Sequence, residues 1–255
     1  MTGSEPVAPD LTLRPARADE AVVLADLEVR VRAGTPGLPP PAGGTEAVVD
    51  RVRRAVAATD REVWVATTAA DDVVGQTVTT PTWLEDLYVD PAHQRRGVGS
   101  ALLGLVCGSH PHGFGLWVHA DNAGARAFYR AHGLVELEST DGSASDEGVP
   151  DVRVVWPGER PLAFLRRAID EVDDELAELL ARRTALTAAV QDHKESSGAG
   201  GRRGRDAERE AEIVARMSAH APGLDPVRLA RVMDTVIRES LETWELRRGR
   251  PPGER

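Results

Sequence analysis

Two spacings of apolar residues divide the chain. Up to about residue 157, short β-rich runs interleave with stretches of helical period; beyond it only the helical period remains. LTLRPA (11–16) predicts a strand, after which Asp19 is placed to cap a helix running to about Ala33. GTPGLPPPAGG (34–44) cannot form regular structure, and 46–58 is helical again. EVWVATT, VVGQTVTT and WLEDLYV predict three short strands, broken by ADD and by Pro81. QRRGVGSALLGLVCG reads as a loop and then a helix, 114–120 as a strand and 122–133 as a helix. LVELEST and VRVVW close this half as strands around a polar tip, DGSASDEGVP. Interleaved strands and helices predict an α/β domain with a mixed sheet over 11–157.

In the second half Leu162, Leu165, Ile169, Val172, Leu176, Leu179, Leu186 and Val190 follow a 3,4 spacing. This predicts one helix over about 162–193, ~50 Å long. ESSGAGGRRGR (195–205) ends it, a shorter helix is expected over 206–221, and PGLDP introduces a third over 226–247. Two shorter helices cannot cover the seam of the long one, so a homodimer through 162–193 is expected. The flanking segments 1–10 and 248–255 carry no periodicity and are expected to be disordered.

Composition sharpens this division. Residues 1–159 carry 13 Lys+Arg and 23 Asp+Glu, whereas 160–255 carry 18 of each, so the net charge of −10 belongs to the first half. That acidity argues against a nucleic-acid partner and would tolerate a cationic small substrate. No apolar run approaches the ~20 residues of a membrane span, and MTGSEPVAPDLTLRP lacks the regions of a signal peptide. A soluble, cytoplasmic protein is expected. The one cysteine, Cys107, sits in the apolar run LLGLVCG and reads as a small buried hydrophobe; disulfides and cysteine-based zinc sites are excluded, and no metal is expected. Of 31 basic residues only Lys194 is lysine.

Candidate chemistry in the first half starts at LYVDPAHQRRGVGS. Here a strand ending at Val89 leads through Gln94, Arg95, Arg96, Gly97, Val98, Gly99 and Ser100 into a helix start. Glycines let backbone N–H groups close on a phosphate, and the helix dipole favours an anion. A short G-x-G alone is also what a tight turn needs. Together with the downstream N-x-x-A-x-x-F-Y and its following Gly, residues 11–157 resemble the GNAT family of acetyl-CoA-dependent N-acetyltransferases. The resemblance implies that 94–100 cradle the CoA pyrophosphate, that Asn122 contacts the cofactor and that Tyr129 protonates the leaving thiolate. Transfer to an amine also needs a base. Glu85 and Asp86 lie on the adjoining strand and point to opposite faces; either can be that base, directly or through water, or both simply decorate a strand end. The amine belongs to a small molecule or a protein, and GTPGLPPPAGGTE and DGSASDEGVP would border it.

In the second half the 3,4 register calls for an apolar residue at 183, where Arg183 stands. A guanidinium on a buried seam costs several kcal/mol unless an anion meets it. Lys194, eleven residues on, returns within ~20° of that face, ~16 Å along the axis, so the two can grip a small anion or mark a solvated helix end. Arg166 is ~25 Å from Arg183 and rotated by ~100°; only the antiparallel helix of a second chain could bring it in. Asp206, Arg209 and Glu210 lie in RDAERE. From LRRAIDEVDDELAELLARRTALTAAVQDHK, DAERE and IRESLE, residues 161–247 resemble the all-helical (type II) chorismate mutases. The resemblance implies a cofactor-free rearrangement of chorismate to prephenate, a step of the shikimate route to aromatic amino acids. Arg183, Lys194 and Arg209 would bind chorismate with Arg166 of a partner subunit, Asp206 and Glu210 would take its hydroxyl side, and Ser240 would add a contact. At 244, where that family commonly has Gln or Glu, this chain has Trp244, which donates but cannot accept. Four readings follow: Trp244 donates in its own way, Glu242 or Glu245 substitutes from a slightly rotated helix, the pocket accepts a related substrate such as aminodeoxychorismate or isochorismate, or the activity is weak. The rival to all four makes the helical half a dimerisation or chorismate-sensing module.

Overall fold

The computed structural model describes residues 11–36, 38–143, 148–196, 205–221 and 223–249. Residues 1–10 and 250–255 lie outside the described residues, as do 144–147 of the polar tip and 197–204 of the Gly-rich loop; of the tail 248–255 expected to be disordered, Arg248 is described and pairs with Glu195 at 3.0 Å. The chain divides into two compact units, Met1–Arg166 and Arg167–Arg255.

In the first unit, β1 (Thr12–Pro15), β2 (Glu62–Thr67), β3 (Val73–Thr79) and β4 (Leu84–Val89) form an antiparallel sheet in that order. β5 (Phe114–His119), β7 (Asp151–Trp156) and β6 (Val135–Thr140) form a second, with β7 in the middle. One parallel bridge, Trp83 to Gly115, joins the two sheets among the described residues. Past it β4 and β5 diverge, which leaves a cleft between neighbouring strands. Gly115 allows the close join, since a Cβ there would stand 3.0 Å from the Trp83 ring and the ring would have to give way.

Helices α1 (Ala21–Gly34) and α2 (Gly44–Ala57) cover one face, burying Leu24, Val48 and Val52 on Val63, Val65 and Val78. On the other, α3 (Val98–Ser109) and α4 (Ala123–Ala131) pack Leu103, Val106 and Tyr129 against Phe114, Leu116, Val118 and Val154. Each fully buried Leu or Phe contributes about 1.5–3 kcal/mol. The expected cap Asp19 lies inside a short 3-10 turn, Ala18–Glu20; the turn is closed instead by Glu20, whose carboxylate accepts from the Arg17 N–H at 2.7 Å. Glu20 wins because it stands three residues past Arg17 and is also held by Arg14.

The second unit consists of helices, as its period predicts. α5 (Pro161–Ser196) runs 36 residues without a break. α6 (Ala207–His220) and α7 (Pro226–Arg247) pack together through Met217, Ile213, Leu229, Met233 and Ile237. Along α5, Ile169, Val172, Leu176, Leu179, Leu186 and Val190 are exposed in the single chain. No described helix is long and apolar enough to cross a membrane, and no group of three or more described His, Cys, Asp or Glu residues is placed to hold a metal ion.

Candidate functional sites

The cleft between β4 and β5 is shaped by a bulge. Val78 of β3 faces Asp86 and Thr79 faces Leu84, so Glu85 is the extra residue. A bulge re-aims the side chains on either side of it. Asp86 turns inward, 9% exposed, and accepts from Arg51 Nη1 at 2.5 Å. Glu85 turns outward, where its two oxygens accept from Arg61 Nε and Nη2 at 2.9 and 3.0 Å. The cleft encloses about 330 Å³. Glu85, Asp86, Tyr88, His119, Asn122, Tyr129, Asp151 and Arg32 are its polar lining, with Trp117 beside them.

Behind Asp86 lies a network that the sequence reading missed. Glu28 of α1 is 1% exposed and bonds to both Arg51 and Arg32, the latter at 3.2 Å. Burial, then the neighbouring Asp86 charge, pushes its carboxyl above the usual range against the pull of the two arginines. Arg32 Nη2 also donates to the Tyr88 hydroxyl at 3.3 Å. The Tyr88 and Tyr129 phenols are both raised, by burial first and by Asp86 second, and both stay protonated. A signal for Glu28 existed: it follows Leu24 by four residues on the buried face of α1, the same misfit that singled out Arg183.

The loop into α3 has the geometry of an anion cradle. Arg95 at φ 56° and Gly97 at φ 84° turn the chain sharply before Val98, and no side chain caps the N-terminus of α3. Its first-turn N–H groups therefore have no side-chain acceptor, as at helix ends that can receive an anion. A non-glycine residue in the left-handed region is strained, as residues at ligand-binding turns often are. Gln94 Nε2 donates to the Val89 carbonyl at 3.2 Å and braces the turn. Arg96 is exposed, and the Ser100 hydroxyl lies 2.9 Å from His132 Nε2. Gly99 passes close to the Phe128 ring, where a Cβ would sit 3.4 Å away. The Val89 and Val98 side chains are core, packed with Ala66 and Leu102, which leaves their backbone as the part a ligand could meet. Asn122 lines the cleft while its Oδ1 accepts from Ala125 N at 3.0 Å as the cap of α4.

A second cavity, of about 280 Å³, opens among the helices of the second unit. Arg183, Lys194, Arg205, Asp206, Arg209 and Glu210 supply its charged lining, and Leu186, Val190, Ile213, Ile237 and Leu241 its apolar wall. Arg183 is half-buried and donates to the Ser240 hydroxyl at 3.1 Å. Among the described residues no carboxylate pairs with it, and burial lowers its pKa. Arg209 holds Glu212 at 2.8 Å, and Asp206 caps α6 by accepting from the Arg209 N–H at 3.1 Å. Glu210 is held by Arg205, which also reaches Asp234 at 2.6 Å. Arg205 was not anticipated, because its place in a Gly-rich loop gave no periodic position to judge it by.

Two expected pocket residues are placed differently. Ser240 is buried, and its hydroxyl donates to the Val236 carbonyl at 2.7 Å, so it reaches the cavity only through Arg183. Trp244 is buried away from the cavity, its indole N–H donating to Asp192 at 2.9 Å, with Arg248 5.9 Å from its ring. An exposed carboxylate two residues before Lys194 thus draws the indole off. Arg166, expected only from a second subunit, is exposed and stands outside the cavity lining of its own chain.

Comparison with known proteins agrees with both halves. A family model described as acetyltransferase (GNAT) domain matches residues 59–136. Another, chorismate mutase type II, matches 165–244. The chain joins a GNAT acetyltransferase domain to a type II chorismate mutase domain. A curated mycothiol acetyltransferase from Kineococcus radiotolerans is 41% identical over 76 residues, covering 26% of this chain. The match spans 24% of that protein, about a quarter of its length. Among solved structures, a spermidine N-acetyltransferase chimera from Vibrio cholerae superposes with TM-score 0.50 at 16% identity, covering 60% of this chain and 98% of that one. The apo form of YjaB from Escherichia coli gives 0.49 at 22% identity, covering 58% and 98%. The GNAT domain accordingly owns the β4–β5 cleft and the α3 loop, and the chorismate mutase domain owns the arginine-lined cavity.

Proposed function

We propose that the protein carries two activities, acetyl transfer from acetyl-CoA to an amine in residues 11–157 and rearrangement of chorismate to prephenate in 161–247. The first reading is supported by a cleft that holds a protonated tyrosine and by the uncapped N-terminus of α3, which follows the cleft strand β4 in the chain. Acetyl-CoA would supply the activated acyl group. The backbone of 94–100 would bind its pyrophosphate, Asn122 would contact the pantetheine side, and Tyr129 would give the departing sulfur its proton. A buried phenol is suited to this task because it remains protonated until the sulfur becomes basic. Glu85 holds Arg61 on the outer edge and Asp86 holds Arg51, so each would have to release a cation before taking a proton.

The second reading is carried by Arg183, a half-buried guanidinium whose described partner is a hydroxyl rather than an anion. Arg183, Lys194, Arg205 and Arg209 would hold the two carboxylates of chorismate and place positive charge by the breaking C–O bond, with Asp206 and Glu210 on the hydroxyl side and Arg166 supplied by a second subunit. Holding the folded conformer and stabilising its charge would be the whole of catalysis, since the rearrangement moves no proton. One observation favours a binding-only alternative: Ser240 and Trp244 both direct their donors elsewhere, which removes two neutral donors from the cavity.

The deciding experiment follows the ultraviolet absorbance of chorismate with product identification. Prephenate formation that Arg183→Ala abolishes is expected. Saturable chorismate binding without turnover would replace the mutase reading by the sensing one. Acetyl-CoA binding, measured by calorimetry and weakened by Gly97→Ala, tests the first activity.

A further inference from the structure

Both carboxylates that the sequence offers as a base are engaged by arginines, and the cleft contains another candidate. His119, at the end of β5, and Asp151, at the start of β7, are paired across the ladder and both line the cleft. His119 Nδ1 lies 2.9 Å from Asp151 Oδ1. By distance the two atoms pair; by angle the ring is turned off the ideal hydrogen-bond line, as catalytic hydrogen bonds often are before substrates tighten them. The imidazole is 18% exposed and the carboxylate 12%, so the pair is sheltered but reachable. Across the same cleft stand Asp86 and Tyr88 of β4, Tyr129 of α4 and Arg32 of α1.

We propose that His119, oriented by Asp151, is the base that takes the proton from the acceptor amine in acetyl transfer. This rests on the acetyltransferase reading and adds the residue that the reading lacked. The physical argument is one of availability. Glu85 accepts two hydrogen bonds from Arg61 and Asp86 accepts one from Arg51, so protonating either would set a partly buried guanidinium loose. A carboxylate against Nδ1 instead stabilises the charged imidazolium and fixes Nε2 as the atom that accepts. Imidazole also titrates close to neutral pH, where a base of this kind works best.

The protons balance. Two leave the acceptor nitrogen as an ammonium becomes an amide. One goes to His119 Nε2 and on to solvent. The other is matched by the proton that Tyr129 gives to sulfur as the C–S bond breaks and the N–C bond forms, and the tyrosinate is then reprotonated. The cation left on the ring after each transfer is held by Asp151, and Asp86 adds a second negative charge across the cleft.

The test uses the full chain with acetyl-CoA and 2-aminoethanol as a generic primary amine, reading thiol release from pH 5 to 9. His119→Gln should lower kcat by roughly 100-fold with little change in the KM for acetyl-CoA. It should also remove the acidic limb of the pH profile. Imidazole added to His119→Ala should restore part of the rate, which a merely structural role would not allow. Asp151→Asn should give a smaller loss and shift the limb. Retention of the wild-type rate and limb by His119→Gln, or loss of the limb in Asp86→Asn alone, overturns the assignment while leaving acetyl transfer intact. Calorimetric binding of acetyl-CoA without amine-dependent thiol release at any pH overturns the transfer reading and His119's role with it.

Discussion

At position 244 the indole has turned its back on the cavity. Trp244 donates to Asp192, and that bond, with Arg248 behind it, holds the Asp192 carboxyl below the usual carboxylate range. The sign is that of a depressed acid: the clamp is present above the ordinary aspartate value and is lost as pH falls through the lowered one. Trp244→Phe keeps the ring and removes the donor. It should leave chorismate affinity unchanged by calorimetry while speeding amide exchange over the last turn of α7, and a large loss of affinity would mean that the indole does serve the ligand. Gly97, at φ 84°, tests the other site. Alanine there costs about 1–2 kcal/mol for the left-handed backbone, so Gly97→Ala should weaken acetyl-CoA binding and lower the melting temperature together.

Among the elements, α5 poses the sharpest question, because seven of its large apolar side chains, Leu162 among them, face solvent in the single chain. Burying each would contribute about 1.5–3 kcal/mol, which an exposed stripe forgoes. A dimer through this helix is the expected solution form, and Leu176→Glu with Leu179→Glu should convert it to a monomer in sedimentation experiments. An unchanged dimer would place the interface elsewhere. The long helix itself was legible because its 3,4 period persists over many turns, and the strands because valine, threonine and tryptophan runs are bounded by turns. The site was read unevenly for the same reason. Residues that break a period, such as Arg183, or stand in a Gly-rich turn, such as Gly97, announce themselves. Glu28, His119 and Asp151 do not, since they meet only when α1, β5 and β7 are brought together by long-range pairing. The bulge at Glu85 was equally invisible: one extra residue in a ladder depends on the partner strand, and without it Asp86 could not be placed.

For the molecule as a whole, the division into two compact units predicts two separable chemistries. Arg183→Ala should leave acetyl-CoA binding at its wild-type value, and Gly97→Ala should leave chorismate binding at its own, because sites without shared partners act additively. Coupling between the two measurements would show that one unit biases the other. The uneven charge fits this separation, with the excess acid all in the first 159 residues. Finally, the cavity of the helical unit holds Lys194, and the sequence contains no other lysine. A reagent that acylates lysine therefore has a single side-chain address on this protein, inside the cavity of the helical unit, and the mass it adds to the peptide carrying Lys194 becomes a direct gauge of whether that cavity is filled.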